Sequence, residues 1–544
     1  MHSNSEILFL HVPKFSNYYK PLDEFINITY IPMGVFALAD MMTRERHCVE
    51  IVNLGLEWIL DNDFSIIEYL RGDRNLKVVF MPLFWHYQSY DVIRVAETIK
   101  KEFPGVYVFL GGFTASYFAA QIVRDFPFID GVVKGYAEGP VKDLCSRIFE
   151  ASAKSTAPDF TGVQNLVTSE SGEKESCDFY LTSEKDFNSL RFTNLALLKN
   201  FTHYIRLFSF PLAYSKNLSM ADNVRLNNMG LVMFPIEIGR GCNTECSWCA
   251  GSTGNQARMN FRSKIMWRDK SRVVADMKEG ILFGYKTFAV CFDPYPGKQQ
   301  YYLELFEEIR KQNVKCGLYF ECYALPTLEF IDSFKKTFDL SRSVVAISPE
   351  CGSEEVRRKN KGYYFSNADF FNRLDALQAA GIKTDVFFTM GVPHENIKTL
   401  METKAIIDKI SAGYKNIGRM MTWGIQMEPG SPMFEKPEEF KIVTDRKTFK
   451  DFYNIHSGFH SDTYSALGYS VENYFCDGKT YTTEEFAKIM MAVKCQLFCF
   501  LHDNCAAYNS PFWGRMTCRL RALTFWLKGF GLKKYLGRKR PEYK

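Results

Sequence analysis

Three cysteines in one short loop carry the clearest chemical signal in the sequence. Cys242, Cys246 and Cys249 have the spacing C-x3-C-x2-C, lie between glycines and directly follow the apolar run 230–238. Thiolates gathered in this way can hold three irons of a cubane 4Fe–4S cluster and leave the fourth iron open to a substrate. A structural zinc site is the main alternative, although zinc prefers four ligands and no obvious fourth lies nearby in the sequence. Chance clustering of core cysteines explains the pattern less well, because such residues rarely share a glycine-flanked loop.

A regular alternation of strands and helices follows the cysteine loop and predicts the scaffold that positions it. With the apolar run before Cys242, six βα units are expected, which together make a partial (β/α)6 barrel. The later strands are predicted at 287–292, 315–323, 343–347, 384–390 and 417–427, and the helices at 264–283, 299–311, 328–338, 367–380 and 399–411. Barrels of this kind hold their active sites at the carboxyl ends of the strands, where the cysteine loop falls.

A second α/β unit is predicted before the barrel, in residues 1–150. Its near-continuous apolar strands are expected at 6–12, 49–54, 76–83, 106–110 and 129–134, and its helices at 31–46, 91–103 and 140–149. Buried strands joined by helices predict a doubly wound parallel sheet, which binds ligands beyond the carboxyl ends of its strands. His11 and His86 lie at or near these ends, and we interpret them as hydrogen-bonded wall residues rather than ligands.

The remaining segments are interpreted as a polar connector at 151–230 and a small helical C-terminal domain at 436–544, with the barrel at 231–435 between them. Helices are predicted in the last domain at 484–501 and 515–529. We interpret Cys495, Cys499 and Cys505 as core residues, because Cys495 and Cys499 have the i, i+4 spacing of one helix face and lie beside phenylalanines. An auxiliary iron–sulfur cluster on these three cysteines is the alternative. The basic end of the chain is expected to be solvated, with peripheral contact to an anionic membrane as the alternative.

Composition restricts the class of protein. A chain of 544 residues is too long for one core, and 46% hydrophobic with 24% charged residues is ordinary for a globular protein. The net charge of +5 indicates no nucleic-acid partner. The 15 cysteines form no disulfide framework, no signal peptide is recognisable, and no apolar run reaches the roughly 18 residues of a membrane span. We therefore expect a cytoplasmic protein, because a reducing compartment protects thiols and an iron–sulfur site.

The cysteine spacing, with Trp248 directly before the third cysteine, resembles the signature of the radical S-adenosylmethionine (SAM) superfamily. The resemblance covers residues 233–432. It implies that Cys242, Cys246 and Cys249 hold a 4Fe–4S cluster, and that the amino and carboxylate groups of SAM chelate the open iron. Trp248 is expected to lie against the cluster and the adenine, or else to be a packing residue.

The same resemblance assigns further SAM contacts to neighbouring strand ends. Asp293 takes the position that holds the methionyl amine, although the usual Gly-Gly-Glu is absent. The other expected contacts are Ser348 and Glu350 at the ribose and methionyl group, Arg357 or Arg358 at the carboxylate, and Gly391 beside the adenine.

The order of elements before the barrel resembles the cobalamin-binding domain that precedes many radical SAM domains. Residues 50–55, 111–115 and 132–138 match its second strand, its GG loop and its closing Gly-x-x-Glu turn. The implied cobalamin contacts are Leu83, Gly111, Gly112 and Thr114. Two departures leave a degenerate domain as the alternative. No D-x-H-x-x-G follows the first strand, and Met-Pro-Leu at 81–83 replaces the family's S-x-L.

These resemblances imply an enzyme that cleaves SAM reductively with an electron from a donor such as flavodoxin or ferredoxin. The expected reaction is cobalamin-dependent methyl transfer to an unactivated carbon of a small molecule, lipid or peptide. A cobalamin-independent radical cyclisation, oxidation or rearrangement is one alternative. A non-catalytic iron–sulfur or zinc protein is the other. No motif names the substrate.

Overall fold

The computed structural model describes residues 5–457 except 20–22, 28–29, 62, 73–74, 171–178, 208–212, 216–231, 263, 426 and 445. It also describes three short strands, Ser470–Val471, Tyr474–Cys476 and Lys479–Tyr481. Two six-stranded sheets organise these residues, and we call them the N-terminal sheet and the barrel sheet. None of the described helices is both long and apolar enough to cross a bilayer.

The N-terminal sheet confirms the predicted doubly wound arrangement. Its strands lie in the order Val49–Asn53, Ile7–His11, Val78–Pro82, Tyr107–Gly111, Gly131–Val133 and Leu166–Val167. The first five are parallel, and the last, which lies in the predicted connector, pairs antiparallel. The pairing places every loop that follows a parallel strand at one edge of the sheet.

Helices cover both faces of this sheet, because alternate strand residues point to opposite sides. Ile7 and Phe9 join the core beneath the helices Met33–Arg44 and Glu138–Lys154. Leu8 joins the other core, beneath the helix Ser89–Glu102. The remaining helices of this region are Leu54–Leu60, Ile66–Arg71, Phe113–Tyr117, Ala119–Asp125, Glu184–Ser189 and Phe201–Leu207.

The barrel sheet has the six parallel strands that the sequence predicts. Their order is Met233–Pro235, Thr287–Val290, Gly317–Cys322, Val344–Glu350, Lys383–Met390 and Ile417–Gly424. The first and last of these strands are not paired with each other, so the barrel is open. Its outer helices are Lys270–Leu282, Gln300–Lys311, Leu328–Thr337, Asn367–Ala379 and Ile397–Gly413.

Several short elements were not expected. The helix predicted at 264–283 begins only at Lys270, because Met266–Trp267 pairs antiparallel with Gly239–Arg240 just before the cysteine loop. Two-residue strands carry no periodic signal, so this pairing could not be read from the pattern. Further unpredicted elements include the antiparallel sheet Lys14–Tyr19, Asp23–Asn27 and Ala213–Ser215, and the helices Thr253–Asn260 and Pro432–Glu435. The helix Glu354–Asn360 carries Arg357 and Arg358.

The C-terminal segment packs against the N-terminal sheet. Phe449 and Phe452, on the helix Phe449–Ser457, join the core formed by the helix Ser89–Glu102. The helices predicted at 484–501 and 515–529, the cysteines between them and the basic tail lie outside the described residues. The domain boundaries at 150, 230 and 435 stay predictions.

The carboxyl-end loops of the two sheets meet, and we call this region the junction. It comprises loops 84–88, 112–117 and 134–138 of the N-terminal sheet and loops 239–251 and 428–435 of the barrel. Arg240 Nη2 donates to Glu138 Oε1 at 2.5 Å, and both side chains are largely buried. The guanidinium lies between the rings of Tyr136 and Phe187, 4.5 and 4.6 Å from their centroids. This ion pair joins the GG-containing sheet to the start of the cysteine loop.

Removing Arg240 alone should destabilise the protein, because the substitution leaves a buried carboxylate without its cation. We expect Arg240→Met to lower the free energy of unfolding by about 3 kcal/mol. Adding Glu138→Gln to the same chain should recover part of this loss. Urea denaturation of the protein without cofactors measures both effects.

The control is Lys336→Met, at the exposed Lys336–Asp332 pair on the helix Leu328–Thr337. This change should alter the free energy of unfolding by less than about 0.5 kcal/mol. Equal losses in the two single variants would show that the junction does not depend on the buried ion pair.

Candidate functional site

The cysteine loop holds its three sulfurs close to one another and gives each a hydrogen-bond partner. Thr244 Oγ1 lies 3.0 Å from Cys242 Sγ, and the backbone N–H of Gly251 donates to Cys249 Sγ at 3.2 Å. The N–H of Gly362 reaches Cys246 Sγ from the barrel, also at 3.2 Å. Hydrogen bonds of this kind stabilise sulfur in its charged form and are typical of iron–sulfur ligands.

Burial disfavours unpaired thiolates at Cys242 and Cys249. It raises the pKa of Cys242 and of Cys249, and the neighbouring Cys246 raises both further. A cationic iron core would supply the missing positive charge, so the donor set fits a 4Fe–4S cluster. Among the described residues, no three His, Cys, Asp or Glu side chains are grouped as ligands of a single metal ion.

Anchors from other loops fix the shape of the cysteine loop. Asn360 accepts two hydrogen bonds from Ser247. Its backbone C=O accepts from the Ser247 N–H at 2.9 Å, and its Oδ1 accepts from the Ser247 hydroxyl at 2.7 Å. Asn360 Nδ2 also donates to the C=O of Pro393 at 2.7 Å. Thr253 Oγ1 donates to the C=O of Cys242 at 2.7 Å. No local pattern in the sequence indicates a role for Asn360, because its partners lie far away in the chain.

Asp293 lies beside the cysteine loop, just after the strand Thr287–Val290. Its Oδ1 accepts hydrogen bonds from Tyr302 Oη at 2.7 Å and from the Tyr295 N–H at 3.3 Å. Burial raises the pKa of Asp293 to about 6 despite these bonds. No described residue donates to Oδ2, so this carboxylate can accept from an ammonium group, as the prediction requires.

Glu350 ends its strand at a bulge and has a left-handed backbone with φ of 65°. Lys361 Nζ lies 3.1 Å from Glu350 Oε1, and Thr389 Oγ1 donates to Oε2 at 3.2 Å. The half-buried Ser348 lies two residues earlier in the strand. Both side chains thus stay at the carboxyl end of the barrel, and their contact with SAM remains a prediction.

Arg357 does not fit the predicted role at the SAM carboxylate. Its side chain is fully buried and donates to the C=O groups of Pro349, Cys351 and Phe365 and to Asn367 Oδ1. These bonds use most of the N–H groups of Arg357, and they hold the segment that follows Glu350 in its folded shape. The arginine is therefore structural, which the helical pattern of the sequence could not distinguish from a ligand-facing position.

Gly391 makes a turn that a side chain would strain, because its φ is 81°. Its N–H donates to Glu395 Oε2 at 2.6 Å, which fixes the turn from within the protein. Burial raises the pKa of Glu395 to about 8. Trp248 packs against the small core that includes Val392 and Met433, and its contact with the cluster and the adenine stays a prediction.

The GG loop of the N-terminal sheet is tightly built. Gly112 has φ of 98°, and a Cβ there would lie 2.9 Å from the C=O oxygen of Leu83. Thr114 Oγ1 donates to the C=O of Phe84 at 3.0 Å, and the Leu83 N–H donates to the C=O of Gly111 at 2.7 Å. The Leu83 side chain belongs to the sheet core, so only its backbone is available for the predicted cobalamin contact.

His86 is a buried wall residue of the junction. Its Nδ1 lies 2.9 Å from His456 Nε2, and its Nε2 lies 3.7 Å from Glu428 Oε1 on the barrel side. Burial lowers the pKa of His86 to about 3, with smaller contributions from Arg446 and Lys14, so the ring is neutral. His86 and His456 are 370 residues apart in the chain, so no local pattern in the sequence indicates this contact.

Comparisons with known proteins agree with this geometry. Residues 236–406 match the model of the radical SAM superfamily. A 148-residue stretch is 27% identical to an uncharacterized methyltransferase of Pyrococcus horikoshii and covers 27% of this chain. The match spans less than a third of that relative's length, namely 30%.

Two solved structures of the radical SAM methyltransferase TsrM from Kitasatospora setae share the fold. The form with cobalamin and a 4Fe–4S cluster gives a TM-score of 0.58 at 15% identity, over 96% of this chain and 100% of that one. The form with tryptophan and a SAM analogue gives 0.54 at 16% identity, over 80% and 76%.

The family match at residues 236–406 thus falls on the parallel barrel and on the three-cysteine loop at its carboxyl end, and this part of the chain is a radical SAM domain. The chain as a whole shares the overall fold of TsrM.

A side chain at position 112 should disrupt the GG loop. We expect Gly112→Ala to lower the free energy of unfolding by about 2 kcal/mol, because it combines left-handed strain with a contact to backbone oxygen. Gly34→Ala is the control, because this helical glycine has open space around its Cβ position. That change should be neutral or stabilising by up to about 1 kcal/mol. Similar urea midpoints for the two variants would show that a side chain at position 112 is not strained.

Proposed function

We propose that this protein is a cobalamin-dependent radical SAM methyltransferase that methylates an unactivated carbon of a small molecule. The observation that carries the proposal is the junction, where Arg240, just before the first cysteine, pairs with Glu138, and Arg258, after the cysteine loop, packs over Tyr117, after the GG loop. Parallel sheets bind ligands at the carboxyl ends of their strands, so the arrangement gives two cofactors one shared region. The fold shared with TsrM and the methyltransferase name of the curated relative support the same reaction class.

On this proposal Cys242, Cys246 and Cys249 hold the cluster, which supplies the electron that cleaves SAM. Asp293 orients SAM by accepting from its methionyl ammonium through Oδ2. Glu350 and Ser348 position the ribose and methionyl portions from the fourth strand. The open turn at Gly391 lets the backbone approach the adenine. Burial of these groups excludes water, which protects reactive intermediates from side reactions.

Cobalamin would lie against the GG loop. The close packing at Gly112 leaves Gly111 and Thr114 as the residues that border the cofactor, and the backbone of Leu83 lines the same edge. When bound, cobalamin supplies a transferable methyl group. His86 is engaged with His456 and stays neutral, so we assign it to the wall rather than to cobalt.

The proposed partners follow from this chemistry. Reductive cleavage of SAM needs a one-electron donor such as flavodoxin or ferredoxin. One TsrM structure contains tryptophan as substrate, which supports a small-molecule substrate here over a lipid or peptide. A reducing, cytoplasmic location would keep the cluster intact.

Loss of the three cysteines should abolish the cluster and leave the fold intact. We expect the Cys242→Ala, Cys246→Ala, Cys249→Ala variant to fall from about four irons per chain to background. It should produce neither 5′-deoxyadenosine nor S-adenosylhomocysteine. Circular dichroism should remain that of the folded protein. The control is Cys48→Ala, which removes an exposed free cysteine and should leave the iron content unchanged.

Unfolding of the triple variant would favour a structural metal site instead of an enzyme. A colourless protein after anaerobic cluster reconstitution would exclude the radical mechanism.

Cobalamin binding should be visible directly. Protein purified after growth with hydroxocobalamin should carry about one corrinoid per chain by its visible spectrum, and Gly112→Leu should reduce that content. Turnover should yield a methylated product together with S-adenosylhomocysteine. SAM cleavage without bound corrinoid would favour the cobalamin-independent radical reactions.

A further inference from the structure

A row of aromatic side chains lies at the junction, and we call it the aromatic row. Its rings belong to Phe113, Phe84, Trp85 and Tyr30, in that order. Neighbouring ring centroids are 5.5, 4.6 and 5.1 Å apart, so each ring contacts the next. All four side chains are only half-buried. A continuous aromatic surface that stays accessible where two sheets meet is typical of a ligand site.

The backbone beside the aromatic row is fixed to the N-terminal sheet. The C=O of Phe84 accepts from the Thr114 N–H at 3.3 Å and from Thr114 Oγ1 at 3.0 Å, which attaches this end of the row to the GG loop. Gln88 Nε2 donates to the C=O of Val12 at 2.7 Å, just beyond the first strand of the sheet. These bonds hold the loop 84–88 in place without the help of a ligand.

The aromatic row extends from the GG loop to the barrel. At one end, Phe113 directly follows Gly112. At the other end, Tyr30 interacts electrostatically with Cys291 and Glu321 of the barrel. A cofactor that carries a methyl group from the GG loop to a substrate at the barrel mouth must occupy the space that this row borders.

One polar group lies beside the aromatic row. Glu428 follows the last barrel strand, and its Oε1 lies 3.7 Å from Nε2 of His86, the residue after Trp85. The Glu428 side chain is half-buried, and no described residue donates a hydrogen bond to it. A carboxyl group can bind an amide in either protonation state. Aromatic rings with such a group at their edge suit a flat conjugated ring whose rim carries amides.

We infer that the aromatic row is the surface on which the corrin ring of cobalamin lies, and that Trp85 is its central contact. This inference rests on the proposed function, because it locates the cofactor of the same enzyme. The corrin is a large, flat macrocycle with acetamide and propionamide groups around its rim. Its face can cover several aromatic rings at once, and a rim amide can bind Glu428. The nucleotide tail, in contrast, ends in one benzimidazole, for which a row of four rings is too long.

The test compares two corrinoids that share the ring and differ in the tail. Full-length protein from cells grown without corrinoid, with its cluster reconstituted, is dialysed against hydroxocobalamin or against diaquacobinamide, which lacks the nucleotide tail. Bound corrinoid is measured by its visible absorbance. We expect Trp85→Ala to weaken the binding of both compounds about tenfold, because the lost indole contacts the macrocycle that they share. Trp85→Phe should recover most of the affinity.

The matched control is Trp58→Ala, at a second half-buried tryptophan of the N-terminal region, whose Nε1 donates to the C=O of Phe64. This variant should bind both corrinoids as wild type does. Circular dichroism of the corrin bands gives a second readout at saturating corrinoid. We expect Trp85→Ala to change the spectrum of the bound corrinoid and Trp58→Ala to leave it unchanged, while far-ultraviolet spectra show that both variants are folded.

Unchanged affinity of Trp85→Ala for both corrinoids would overturn the inference and leave the proposed function standing. A loss confined to hydroxocobalamin would mean that the nucleotide tail, rather than the corrin ring, lies on the aromatic row, and it would also overturn the inference. If wild type binds neither compound, the inference fails together with the cobalamin dependence of the proposed function. The two failures are therefore distinguishable.

Discussion

The buried ion pair between Arg240 and Glu138 is the interaction on which the rest of the arrangement depends. It connects the first turn of a helix that follows the N-terminal sheet with the residue two positions before the first cysteine. The rings of Tyr136 and Phe187 shield the guanidinium, and the Thr182 hydroxyl satisfies the second carboxylate oxygen at 2.8 Å. Removing either partner would leave a buried charge uncompensated, which strongly destabilises a protein. The pair therefore holds the start of the cysteine loop in place against the N-terminal sheet.

Buried carboxylates are the second feature of the barrel. Asp293, Glu321 and Glu395 each have a pKa raised by burial, but they differ in their partners. Glu395 accepts from the Gly391 backbone and shapes a turn, whereas Asp293 keeps one oxygen and Glu321 both oxygens without a donor among the described residues. Unsatisfied carboxylates are costly inside a protein, and they persist where a ligand supplies the cation. This difference separates the structural Glu395 from Asp293, which we assign to SAM.

The roles of several site residues become clear only from the residues that surround them in space. Arg357 has the charge and position of an anion-binding residue, yet its guanidinium closes its own loop. Leu83 lies in the motif that aligns with cobalamin-binding domains, but its side chain belongs to the sheet core. Asn360 had no sequence signal and nevertheless links the cysteine loop to the turn at Pro393. In each case the deciding contact is a hydrogen bond or a packing surface supplied by another segment.

Features that depend on neighbouring positions in the chain could be predicted without the fold. The spacing of Cys242, Cys246 and Cys249, the alternation of strands and helices, and the glycine at 112 are local, because loop geometry and side-chain periodicity repeat over a few positions. Which charged side chains find a partner could be read only from the folded protein. Arg240 meets Glu138 across 102 residues, and Arg419 binds Asp385 on the neighbouring strand, 34 residues earlier in the chain. Electrostatic energies depend on distance in space, and the fold sets that distance.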